Sequence, residues 1–309
     1  MARNILIDTD PGIDDSLAIL MAFASDALKV KGITTVAGNV DIDAVTRNAL
    51  SLAAMAGSDA PVAAGAEGPL ITKRLAASHV HGEDGKGGVA LPSPRRERDG
   101  RRAFELIRDI AVECRGSLDL VCLGPLTNVA LALSAFPYLR KGAIGRIFLM
   151  GGSAGPGNAT AAAEFNIYAD PYAAACVFQA GIPITMCGLD VTNSATLDQA
   201  DIDGLRRGGG RIAGLCCDML EYYLAYYRSL GYASLMLHDA VAVAATIDPR
   251  VVTTRACHVD VETDGEYTTG KTAVDVLGVS HREPNADVAF NLDHGIFIDL
   301  VRRLIGTYS

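Results

Sequence analysis

"NILIDTDPGIDDSLAILMAFAS", residues 4–25, joins a short apolar run to a longer one through a turn crowded with acid. The segment 4–8 reads as a buried strand. Residues 14–25 read as a helix whose first turn carries Asp14 and Asp15, where carboxylates suit the positive end of the helix dipole. Asp8, Asp10, Asp14 and Asp15 fall within eight residues. Two like charges about 4 Å apart repel by roughly 4 kcal/mol at an effective dielectric near 20. That is a large share of a net stability of about 5–15 kcal/mol. Solvent, separation, protonation or a cation must offset it.

The strand–turn–helix pattern repeats along the chain. Residues 30–38 read as a strand leading to Asn39, and 43–57 as a helix with a Gly stop. "LDLVCLG" (118–124) and "GRIFLMGG" (145–152) are strand-then-turn signals. "PYAAACVFQAG" (171–181) is a helix entered by Pro and left by Gly, and "IPITMCG" (182–188) is another strand. This alternation predicts an α/β fold: a single domain over 1–309, with a mostly parallel, Rossmann-like central sheet flanked by helices. In such sheets ligands bind beyond the carboxyl ends of the strands. Asp10, Asn39, Thr127 and the loop after Met150 are therefore expected to converge.

Half of the 309 residues are hydrophobic, one fifth are charged and the net charge is −9. That is a chain with a large core and no general affinity for a phosphate polymer, so nucleic acid is not an expected partner. The densest charge run, "RRERDGRR" (95–102), reads as a solvated loop or helix start. The seven cysteines form no CxxC pair and sit in apolar contexts, as small buried hydrophobes do in a reducing cytoplasm. The acidic N-terminal stretch is unlike a signal peptide, and no apolar run reaches the roughly 20 residues of a membrane span.

For the acidic turn, a calcium-binding EF-hand fails, because positions 6 and 12 counted from Asp8 are Ile13 and Ile19. Helix capping accounts for Asp14 and Asp15 but not for Asp10. A Mg2+-dependent phosphatase of haloacid dehalogenase type would use the Asp8/Asp10 pair, although "PGIDD" is an unusual continuation. A dedicated metal cage would join Asp10, Asp14 and Asp15 to ligands from elsewhere, and the pair His238–Asp239, which opens an apolar helix, is one source.

The ordered series "DTDPGIDD", "VAGN", "HGEDGKGG", "LGPLTNVA", "LMGG", "GN", "AEFNIYADP" and "HDAVA" resembles the signatures of the nucleoside hydrolase family, the inosine–uridine-preferring enzymes, across nearly the whole chain. The resemblance implies Ca2+ held by Asp10, Asp15, Asp239 and the backbone carbonyl of Thr127. It implies Asp10 as the base that activates water and His238 as the acid for the leaving nucleobase. Asp14 and Asn166 would meet the 2′-hydroxyl, Asn39 and Asp239 the 3′ side, and Asn158 and Glu164 the 5′-hydroxyl. His81 would line the base pocket. So would a tyrosine of "YYLAYYRSLGY" (222–232), with Tyr226 preferred over Tyr227 and Tyr232. The chain has no Trp for stacking a purine. Hydrolysis of ribonucleosides in salvage, with a pyrimidine or inosine–uridine preference, follows from this, in a cytoplasmic homo-oligomer, dimer or tetramer. A calcium-dependent nucleoside-binding protein without turnover is the non-enzymatic alternative.

Overall fold

The computed structural model describes residues 2–308. In chain order the elements are β1 (Arg3–Thr9), α1 (Ile13–Ala24), β2 (Leu28–Thr35), α2 (Ile42–Met55), β3 (Val62–Ala64), α3 (Ser78–His81), α4 (Ala103–Cys114), β4 (Leu118–Cys122), α5 (Thr127–Ala135), β5 (Ile144–Met150), α6 (Phe165–Ala169) and α7 (Pro171–Phe178). They continue with β6 (Ile184–Cys187), α8 (Leu189–Thr192), β7 (Thr196–Leu197), α9 (Gln199–Gly208), α10 (Arg211–Ser229), β8 (Leu235–Met236), α11 (His238–Ile247), β9 (Val252–Val261), β10 (Thr272–Asp275), β11 (Ala286–Leu292) and α12 (His294–Gly306).

Among the described residues nine strands form one sheet in the order β10-β9-β11-β6-β5-β4-β1-β2-β3. From β3 to β11 all neighbours are parallel; β9 pairs antiparallel with both β11 and β10. The chain leaves β1 first towards β2 and β3, then returns to add β4, β5 and β6 on the other side. The crevice between β1 and β4 is thus the point at which the winding reverses, where open α/β sheets bind ligands. Register reinforces this, because Asp8 lies opposite both Thr34 and Cys122. The segments that follow β1, β2 and β4 therefore leave the sheet at one edge.

Strands buried on both faces need continuous apolar runs, and Ile5, Leu6 and Ile7 are fully buried. Helices α1, α2, α10, α11 and α12 cover one face and α4, α5 and α7 the other, each with its own hydrophobic cluster. Helix α1 is buried from Ile13 to Ala22 and packs against α11, buried from His238 to Thr246. A helix that is apolar all round belongs inside a core. This places the N-termini of α1 and α11, with their acidic residues, side by side.

The expected elements are present with ends shifted by a few residues. Strand β2 stops at Thr35: beyond the last ladder bond, from Val36 N–H to Thr9 O, the chain turns so that Asn39 N–H bonds Asp10 Oδ2. Helix α7 stops at Phe178, short of the Gly at 181. The 95–102 run lies at the surface and ends in the N-cap of α4. The seven cysteines are free, and all but Cys114 and Cys176 are buried. The antiparallel extension β9–β10 had no counterpart in the sequence reading. No helix among the described residues is long and apolar enough to cross a membrane.

Candidate active site

Asp10 follows β1 and is buried. Its Oδ2 accepts the Asn39 backbone N–H at 2.7 Å, and its Oδ1 has no hydrogen-bond partner among the described residues. The carboxylate lies between Gly38 and Gly124, where a Cβ on either would collide with it. Glycine at the ends of two flanking strands is what lets the backbone close around this side chain. Asp15 is fixed by Thr9 Oγ1 at 2.5 Å, Gly12 N–H at 2.9 Å and Asn39 Nδ2 at 3.2 Å. Carboxylate oxygens of Asp14, Asp15 and Asp239 lie within 4.8 Å of one another. Residues from the two ends of the chain thus meet at the mouths of α1 and α11.

Burial pushes all four carboxyls up from the ordinary carboxylate range: Asp14 to about 7, and Asp10, Asp239 and Asp15 in the same direction. Repulsion from Asp15 adds to the rise at Asp10 and at Asp14. An orphaned buried oxygen costs free energy, and so do like charges out of water. A divalent cation would offset both. The donors are all oxygen, which suits a hard ion such as Ca2+ or Mg2+ and not a thiolate-seeking metal. The residues present therefore fit a metal centre.

Asp8 takes no part in it. It is fully buried beneath the cluster, its Oδ1 bonded by Thr34 Oγ1 at 2.6 Å and Asn128 Nδ2 at 2.8 Å, and burial lifts its carboxyl to about 7. Its Oδ2, like Asp10 Oδ1, has no hydrogen-bond partner among the described residues.

Of the polar side chains expected at the 2′- and 5′-hydroxyls, Asn158, Glu164 and Asn166 lie between the end of β5 and the first turn of α6. Asn166 donates Nδ2 to Leu123 O at 2.7 Å and to Met150 O at 3.1 Å, tying the ends of β4 and β5 together. Glu164 caps α6, accepting N–H groups of Asn166 and Ile167, and also that of Gly152 at 2.9 Å. Thr127 opens α5 with its hydroxyl committed to Asp170 Oδ2 at 2.7 Å. Asn158 is exposed, and its Oδ1 accepts Phe165 N–H at 3.0 Å.

The opposite wall is aromatic. His81 Nδ1 accepts Ile13 N–H at 3.2 Å, so the neutral ring carries its proton on Nε2. Burial, with the positive charges His238 and His79 could carry, depresses His81 to about 3. Its ring lies 5.3 Å from that of Tyr223. His238 bridges Thr192 Oγ1 on Nδ1 at 2.8 Å and Tyr227 Oη on Nε2 at 3.1 Å, and burial lowers it to about 4. Tyr226 sits further out, edge-on to His79 at 6.3 Å and to Tyr227 at 5.8 Å. Tyr223 and Thr192 were missed from sequence, and Tyr227 ranked behind Tyr226. Spacing held the signal: 223 and 227 are i and i+4 on one helix face.

Residues 5–299 match the sequence model of the family described as inosine-uridine preferring nucleoside hydrolase. The chain belongs to that family. This nucleoside hydrolase is 43% identical over 312 aligned positions, covering all of both chains, to a protein of Shewanella woodyi named pyrimidine-specific ribonucleoside hydrolase RihA. It is 40% identical, again over all of both, to one of the same name from Klebsiella pneumoniae. Among solved structures it is similar to a purine-preferring ribonucleoside hydrolase from Gardnerella vaginalis (TM-score 0.93, 32% identity, 99% and 98% of the two chains). It is also similar to an inosine-guanosine nucleoside hydrolase (TM-score 0.89, 32% identity, all of both chains). The nucleoside hydrolase is thus a ribonucleoside hydrolase, acting on N-glycosyl bonds.

Proposed function

We propose that this enzyme is a Ca2+-dependent hydrolase of pyrimidine ribonucleosides serving nucleoside salvage, its residues 1–309 forming one catalytic domain. The observation that carries the reading is the cluster of buried carboxylates Asp14, Asp15 and Asp239, together with the buried Asp10, one oxygen of which lacks a protein partner among the described residues. Asp10, Asp15, Asp239 and the Thr127 carbonyl would hold the ion; about 6–8 oxygens satisfy Ca2+, which leaves room for water and a sugar diol. When bound, the ion supplies positive charge that eases deprotonation of a water molecule.

The remaining steps belong to side chains. Asp10 accepts the proton of the attacking water. Asp14 and Asn166 hold the 2′-hydroxyl, Asn39 and Asp239 the 3′ side, and Asn158 and Glu164 the 5′-hydroxyl. The C1′–N bond breaks through an oxocarbenium-like state while oxygen adds to C1′. The departing base takes its proton from His238 in its imidazolium form, which burial disfavours in the free enzyme and which the bound substrate must therefore stabilise. The contact of His238 with Tyr227 links it to the aromatic wall, and His81 and Tyr226 face the base. Pyrimidine preference draws support from the names of the relatives at 40–43% identity and from the absence of Trp. The free cysteines suit a reducing cytoplasm, and a homo-oligomer is part of the same reading, checked by light scattering.

The test is release of free ribose from uridine, cytidine, inosine and adenosine, with chelator and after Ca2+ is restored. Expected are faster turnover of the pyrimidines, loss with chelator and recovery with Ca2+. Chelator-insensitive turnover would overturn the metal, and purine-first turnover the preference. A site built to bind hydroxyls rejects analogues lacking them by about 10⁴-fold. Comparable kcat/KM for uridine and 2′-deoxyuridine would remove the sugar assignments, and binding without turnover would favour the non-enzymatic alternative.

A further inference from the structure

The loop after β5 carries buried backbone with no helix or strand of its own to bond it. Every such group needs a partner. Gly152 N–H goes to Glu164 Oε2 at 2.9 Å, and Gly152 O accepts Leu189 N–H at 2.9 Å. Ser153 N–H donates to Thr272 Oγ1 at 2.8 Å, and the same hydroxyl donates back to Ser153 O at 2.8 Å. Lys271 Nζ donates to Ser153 O at 2.9 Å and also to Gly155 O. Asp190 takes the Ala154 and Gly155 N–H groups at 2.7 and 3.2 Å. Thr272 is 1% exposed, and a Cβ on Gly152, whose φ is +77°, would strike its Cγ2.

Lys271 and Thr272 lie at the start of β10, on the antiparallel edge. They are the contact through which that edge reaches the loop, and the loop in turn holds Glu164. The geometry points to Thr272, with Lys271, as positioning residues: they fix the Gly152–Gly155 backbone, and through Gly152 N–H they aim Glu164 at the ribose 5′-hydroxyl and so set selectivity for nucleosides that carry it. The inference rests on the assignment of Glu164 to the 5′-hydroxyl made above.

Thr272→Val keeps the volume and removes both hydrogen bonds of the hydroxyl; Thr272→Ser keeps the hydroxyl; Lys271→Met removes the half-buried ammonium. Two measurements are made on each full-length variant with Ca2+ present. One is amide hydrogen exchange at residues 152–155, and the other is kcat and KM for uridine and 5′-deoxyuridine. Glu164→Gln is the control for the underlying assignment. Thr272→Val is expected to speed exchange in the loop and to lower the uridine/5′-deoxyuridine ratio of kcat/KM by about tenfold, the scale of one hydrogen bond to a charged group. Lys271→Met should do the same to a smaller extent, and Thr272→Ser should restore both. Unchanged exchange in Thr272→Val overturns the clamp. Faster exchange with an unchanged ratio, while Glu164→Gln lowers it, overturns the coupling to the sugar. If Glu164→Gln also leaves the ratio unchanged, the 5′ assignment fails and the selectivity role falls with it.

Discussion

The floor and the aromatic wall of the site are built by different means. The floor is made at strand ends: Asp10 wedged between Gly38 and Gly124, Asp15 tied to Thr9 and Gly12, and Asn166 bridging β4 and β5. The wall is made of side chains on α10 and the four-residue α3, joined by His238 at the start of α11. A floor fixed by topology has little freedom to vary; a wall of side chains on a helix can change without disturbing the sheet. Proteins named for pyrimidine and for purine substrates accordingly share this fold. The proposed function thus assigns reaction type to the floor and base preference to the wall.

The harshest way to break this division is Asp10→Ala. General-base catalysis contributes up to about 10⁴-fold. Ribose release should fall by about that factor on every substrate alike, with near-UV circular dichroism unchanged. A loss that differs among nucleobases would place Asp10 in the wall's business and void the distinction.

His238→Ala probes the wall. Turnover of uridine should drop by about 10³-fold, whereas p-nitrophenyl riboside, whose leaving group needs no proton, should lose less than tenfold. Equal losses on both substrates would remove the acid role and leave His238 a structural link between Thr192 and Tyr227.

The seam between the two regions is the bond from Ile13 N–H to His81 Nδ1. His81 is held at about 3, below its ordinary 6.5. The folded state then binds fewer protons than the unfolded one. The contribution of the neutral ring is complete above pH 6.5 and is lost as pH falls towards 3. Relative to His81→Asn, the wild type should lose about 3 kcal/mol between pH 7 and 4 in urea titrations at fixed Ca2+, each unit being about 1.4 kcal/mol. A pH-independent difference would mean that the ring is not kept neutral.

How far sequence reached follows the same division. Alternating apolar runs with Gly and Asn just after them gave the parallel sheet, and a single turn gave Asp10, Asp14 and Asp15, because strand ends impose local composition. Asp239 could be paired with them only through the family resemblance, since nothing in "LHDAVA" says which strand it faces. The antiparallel strands β9 and β10 went unread because half-exposed strands such as "VTTRACHVDV" carry a weak apolar pattern. Thr272 was invisible for the same reason: a hydroxyl that bonds a loop over a hundred residues away leaves no local signal.

The tyrosines give the finest test of the wall. Tyr226 was the sequence choice, but Tyr227 is the residue that bonds His238, at 3.1 Å, and Tyr226 reaches His79 instead. Tyr227→Phe keeps the ring and its packing against Tyr223 while deleting the hydroxyl. If the hydroxyl matters to the proton that the base receives, kcat on uridine should fall about tenfold, roughly one hydrogen bond, with KM little changed. Tyr226→Phe should change kcat by less than about threefold on uridine, because the contact with the base proposed for it needs only the ring, which remains. A larger effect at 226 than at 227 would return the sequence choice to first place, and it would mean that α10 closes over the substrate in a rotated position, with the His238–Tyr227 bond broken at the moment of reaction.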